Sequence, residues 1–123
     1  MEITLETGTA FNTVRAYSTE LMLIGATEVR ASCVVSADRL LSPWTPTHFA
    51  ALAPEHLSDI FALDPQVVLL GTGWRQCFAP AAIRAAFAAR GVGLEVMDLG
   101  AACRTFNVLV HEQRPVVAAL FFA

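Results

Sequence analysis

The sequence predicts an α/β fold with an antiparallel β portion at the front. Three observations point to it. The first third alternates apolar and polar residues between turn-like breaks. Two uninterrupted apolar runs follow much later, at residues 67–70 and 116–122. Helical stripes separate the strands of the second half, which gives the order β-α-β-α-β and implies parallel pairing through crossovers.

Each element can be argued in chain order. Ile3 and Leu5 alternate with polar neighbours. The segments "NTVRAY" and "LMLIG" flank "STE", a plausible turn. Val29, Ala31, Cys33 and Val35 would share one face of a strand, with Arg30, Ser32 and Val34 on the other. "SADR" would then turn the chain, so this region is expected to be a meander. "LLSPWTPTHF" is expected to be a loop, because its two prolines disfavour regular structure around Trp44. A short helix should start at Pro54, with Glu55 near its positive end and Leu57, Ile60 and Phe61 as its apolar stripe. Asp64-Pro65 should end it.

"VVLL" at 67–70 has the continuous apolar character of a strand covered on both faces, and "GTG" is expected to break it. A helix is expected over 80–90, facing inward through Ile83 and Phe87. Phe78 would staple onto Ile83, and Gly91 would stop the helix. "LEVMD" at 94–98 is the next strand. A helix should then run from about Ala101 to Glu112 with Ala102, Phe106, Leu109 and Val110 inward. Pro115 opens the final strand.

Composition narrows the function classes. The chain has 123 residues, the size of one domain spanning 1–123. It is 55% apolar and only 15% charged, so much surface should be buried, some of it between subunits of a homo-oligomer. The formal net charge of -3 argues against a nucleic-acid partner. All eight cationic residues are arginine, which reads as a bias of genomic composition. The longest apolar run, at 116–123, is far short of the ~20 residues a membrane helix needs. The acidic start "MEITLETG" lacks a secretory pattern, so a cytoplasmic protein is expected. Cys33, Cys77 and Cys103 show no disulfide or zinc spacing, and His48, His56 and His111 form no ligand cluster. No cofactor is expected.

Chemistry should sit beyond the carboxyl ends of the parallel strands. Two loops lie there, "GTGWRQCF" and "LGAACRT". They bring Gly71, Thr72, Gly73, Trp74, Arg75, Cys77, Asp98, Cys103, Arg104 and Thr105 towards one edge. A dinucleotide site is a poor match: the third glycine is missing, and Phe78-Ala79-Pro80 postpones the helix that would meet a pyrophosphate. Gly71 and Gly73 are better read as permitting a tight turn. Cys103, in the first turn of its helix beside Arg104, has two features that favour a thiolate. It lacks a base, since His111 would lie about 12 Å away along the same helix. Packing under the loop is the favoured role for Cys103. A cation near a helix N-terminus is disfavoured by ~0.3–1 kcal/mol, so Arg104 needs compensation. Asp98 could supply it as an internal pair, or an anionic ligand could bind Arg104, Arg75 and loop amides. Trp74 is either an interface anchor or core filling.

The strings "VVLLGTG", Phe78-Ala79-Pro80, "GVGLEVMD", "AACRTFNVL" and "RPVVAAL" resemble, in order and spacing, the small α/β proteins of domain of unknown function 498. The resemblance is densest over residues 66–120. It implies a three-layer fold: a mixed central sheet, helices packed on it, and an added β layer from the N-terminal strands. The family includes a mitochondrial complex I assembly factor, which implies a role in binding protein partners, and it brings no catalytic set. The expected function is therefore a non-enzymatic binding or assembly protein. The alternative is a small anionic-ligand site, or an enzyme, on the 71–73 and 103–105 loops.

Overall fold

In the computed structural model, which describes residues 11–123, the front of the chain forms an antiparallel meander. β1 (Val14–Tyr17), β2 (Met22–Ile24) and β3 (Thr27–Val29) pair in that order. The expected "STE" turn is present: the Ser18 amide donates to the Leu21 carbonyl at 2.8 Å, and the Ser18 hydroxyl accepts from the amides of Glu20 and Leu21. The alternation at Ile3 and Leu5 falls outside the described residues.

The single strand expected over 29–35 is two strands in different sheets. β3 ends at Val29, and β4 (Cys33–Ser36) belongs to the central sheet. Ser32 is buried in the crossing between them. Its hydroxyl lies 2.8 Å and 2.7 Å from the carbonyls of Trp44 and Pro46, and its own carbonyl accepts from the Trp44 amide. The crossing thus clamps the proline loop, which periodicity cannot reveal. Trp44 is buried there against Phe121, with its indole N–H donating to Asp59.

The central sheet has the order β5 (Leu40–Leu41), β4, β8 (Val116–Phe121), β6 (Val67–Thr72), β7 (Gly93–Met97). β5 and β8 pair antiparallel with β4, while β6 is parallel to both β8 and β7. β6 continues through Gly71 and Thr72, so the chain leaves the sheet at Gly73, two residues beyond the expected break.

Side chains alternate across this sheet as a period of two requires. Leu69, Ala118 and Leu120 face a core shared with Met22, Ile24 and Val29 of the meander and with α3 (Leu99–His111). Val68, Leu70, Val117 and Ala119 face the other core, built from Trp44, Leu57, Ile60 and α2 (Ala81–Arg90). The result is three layers with both sheet faces covered. That accounts for the unbroken apolar runs of β6 and β8.

The short helix from Pro54 begins as a 3-10 turn (Pro54–Leu57) and continues as α1 (Ser58–Phe61). Leu57 and Ile60 are buried, and Phe61 packs on the same core. In α2, Ile83 and Phe87 are buried as expected and Gly91 takes a left-handed conformation just past the end. Phe78 does not staple the start of α2: it is 95% exposed. α3 begins at Leu99, ahead of the expected Ala101, because Asp98 caps it by accepting from the Ala101 amide at 2.8 Å.

Candidate functional site at the carboxyl rim

β6 and β7 are parallel neighbours, so the loops that leave them lie on the same edge. They are bonded to each other there. The Leu99 amide donates to the Gly73 carbonyl at 2.7 Å, and the Thr72 hydroxyl sits 3.3 Å from the Met97 carbonyl. Gly71 and Gly73 serve close backbone approach. A Cβ on Gly71 would come within 3.0 Å of Ala102 and of Leu120; one on Gly73, at φ +98°, would come within 2.9 Å of Ala123. Gly71 is thus packed against the start of α3 and against β8, and Gly73 against the backbone of residues 122–123.

Thr72 organises the loop that follows. Its buried hydroxyl is 2.6 Å from the Arg75 carbonyl and accepts from the Cys77 amide at 3.1 Å. Gln76 adds a bond from Nε2 to the Val96 carbonyl at 3.2 Å, taking up an acceptor of edge strand β7. These hydrogen bonds hold the loop, yet it presents large apolar groups to solvent. Trp74 is 52% exposed and Phe78 almost wholly so. Beside them lies an open pocket of about 350 Å3 lined by Thr72, Trp74, Arg75, Cys77, Phe122 and Ala123.

The start of α3 differs from expectation in two ways. Asp98 and Arg104 do not pair: the carboxylate caps the helix, while Arg104 Nη1 donates to the Tyr17 hydroxyl at 2.8 Å. Tyr17, from the end of β1, also packs against Trp74, with ring centroids 6.4 Å apart. A continuous strip Arg104–Tyr17–Trp74–Arg75 results, with a guanidinium at each end. Cys103 is the fifth residue of α3, past the first turn, and is buried within the core. Burial pushes its thiol up to about 12 against the lowering pull of Arg104; Cys33 is also pushed up to about 12, by burial and then by the nearby Cys103. Neither is poised as a thiolate. Cys77 is exposed on the loop, and Thr105 is half-buried on α3.

Of the residues singled out from the sequence, Thr72, Arg75, Trp74 and Cys77 line the pocket. Gly71, Gly73 and Asp98 build the scaffold beneath it. Arg104 flanks it through Tyr17. Tyr17 and Phe122 also belong to the rim, with no local pattern to place them there, and Phe78, expected to staple α2, is exposed beside it. For Phe78 a signal existed, a large aromatic residue in a loop next to proline, but it equally suits a staple.

A family model described as "Protein of unknown function (DUF498/DUF598)" matches residues 14–121. The chain belongs to the DUF498/DUF598 family. This DUF498/DUF598 protein is 34% identical over 109 residues to "NADH dehydrogenase [ubiquinone] 1 alpha subcomplex assembly factor 3" of Danio rerio, covering 87% of this chain and 62% of that protein. It therefore spans less than two thirds of that relative. It is 36% identical over 66 residues, 54% of each chain, to a "13 kDa major membrane protein" of Francisella tularensis. No helix among its described residues is long and apolar enough to cross a membrane. A Xanthomonas campestris protein solved by NMR superposes with a TM-score of 0.84 at 34% identity, covering 99% of this chain and 92% of that one.

Proposed function

We propose that this chain is a non-enzymatic protein-binding module with an assembly role, and that it docks its partner at the carboxyl rim. One observation carries the reading: Trp74 and Phe78 stand in solvent on a loop that internal hydrogen bonds hold in place. Burying one such aromatic side chain stabilises a complex by about 1.5–3 kcal/mol. A rigid loop also loses little conformational entropy when it docks. Thr72 is committed to its loop and Asp98 to its helix cap, and the exposed Cys77 thiol has no histidine or carboxylate side chain beside it in the pocket lining to serve as its base. The likeness to a relative named as an assembly factor supports the same reading.

The test replaces Phe78 with a photo-crosslinking phenylalanine analogue in cells. The expected result is a small set of specific protein adducts, lost when Trp74→Ala is added. Adducts equal in kind and yield to those from an exposed control position, Glu112, would overturn the reading.

The Arg75 guanidinium beside the pocket favours a second reading, a small anionic ligand. Thermal stabilisation by a phosphate or carboxylate compound, abolished in Arg75→Ala, is its expected signature. Equal stabilisation of both proteins would remove it.

A further inference from the structure

The rim also says what kind of partner it suits, and this step rests on the docking reading above. We propose that the occupant is a polypeptide segment of another protein in which one large apolar side chain is flanked by carboxylates.

At about 350 Å3 the pocket lies at the low end of the ~300–1,000 Å3 range of ligand sites. It suits a single large side chain, and its walls are chiefly apolar: Trp74, Phe122 and Ala123. Charge comes next. Arg75 lies at the pocket and Arg104 at the far end of the aromatic strip, both exposed. Among the described residues neither forms an ion pair; the pair that is found joins Arg30 to Glu28. Arg104 makes one described side-chain bond, to a neutral phenol, out of the five a guanidinium can donate. One cation in the wall of an apolar cavity and a second at the far end of the adjoining strip, on a chain whose net charge is -3, complement an acidic segment. They would set register and encounter rate, while the apolar anchor supplies affinity. The third point is mode. Gln76 covers the Val96 carbonyl of edge strand β7 beside the rim, which disfavours strand addition there and favours an anchor inserted in the pocket. Phe78, almost wholly exposed next to the pocket residue Cys77, is free to contact the same partner.

The experiment uses the intact chain and short synthetic peptides of four kinds: an acidic peptide with a Leu or Phe anchor, its Asn/Gln isostere, the acidic peptide with Ala at the anchor, and a Lys/Arg version. Binding is read by the emission of exposed Trp74, buried Trp44 serving as a constant background, and by amide chemical shifts at residues 72–78. The acidic anchored peptide should bind best. The neutral isostere should bind about fivefold or more weakly, and Arg75→Gln should bring the two peptides to similar affinity. Arg75 is exposed, so this variant should fold normally. Equal binding of the acidic and neutral peptides, or no effect of Arg75→Gln, overturns the proposal. So does an acidic peptide without its anchor that binds as well as the full one, or a free dicarboxylate that matches it. A crosslinked partner that contacts Phe78 through a neutral or basic segment would leave the docking reading intact and remove this one. A rim that neither crosslinks nor binds any peptide removes both.

Discussion

Cys103 and Arg104 sit side by side in sequence and part company in the fold. Cys103 turns into the core with Cys33, and Arg104 turns out to Tyr17. Helical geometry explains the divergence, since neighbours on a helix point about 100° apart. The chemistry follows from burial: both core thiols are held protonated, with burial as the main cause. Iodoacetamide at neutral pH should label exposed Cys77 quickly, and Cys33 and Cys103 only after denaturation, as read by peptide mass spectrometry. Fast native labelling of Cys103 would contradict the structure. The raised values also fix the sign of an alkaline effect. Stability due to the protonated thiols is complete below the ordinary thiol pKa of about 8.5 and is lost as pH rises towards about 12, at roughly 1 kcal/mol per pH unit per thiol. Urea midpoints compared at neutral and alkaline pH should fall less in Cys33→Ala/Cys103→Ala than in the parent.

Strands and helices were legible in the sequence to the extent that their periodicity was local. β6, β8 and the inward face of α2 match the expected positions because each buries its apolar residues, and β7 does so through the half-buried alternation of Leu94 and Val96. Their ends were less legible, since ends depend on hydrogen bonds rather than on apolar spacing. The start of α3 is the clearest case. Asp98 reads as the last residue of a strand, but its side chain closes the first turn of the helix. Asp98→Ala should therefore cost about 1 kcal/mol, a fall in melting temperature of roughly 4 °C or more, while Asp98→Asn should stay close to the parent. Gly71→Ala should be costlier, about 1–3 kcal/mol, because the new methyl meets Ala102 and Leu120 at 3.0 Å in a packed interior. A Gly71→Ala protein that melts like the parent would show that α3 can move away from β6. The expected strand over 29–35 failed for a related reason: its alternation is genuine, yet Ser32 is drawn aside by the carbonyls of Trp44 and Pro46.

α3 ties the meander to the central sheet. One face of this helix packs on the central sheet and its Asn107 reaches the meander, where the side-chain amide accepts from the Val14 amide and donates to the Val14 carbonyl, both at 2.8 Å. The side chain imitates a strand partner for β1. Asn107→Ala should raise hydrogen exchange in β1–β3 well above that in β6 and β8, as measured by mass spectrometry. A uniform rise across all strands would instead mean that the layers open as one unit. The alternation of side chains, the apolar runs and the order of elements were enough to specify an α/β chain whose two rim loops leave parallel strands on one edge. These are properties of short stretches and of their succession. What the rim presents was settled elsewhere. Tyr17 lies 87 positions from Arg104, and whether Phe78 is stapled or exposed depends on neighbours that its own segment does not contain. Periodicity acts along the chain, whereas exposure and hydrogen-bond partnership arise only when distant segments meet.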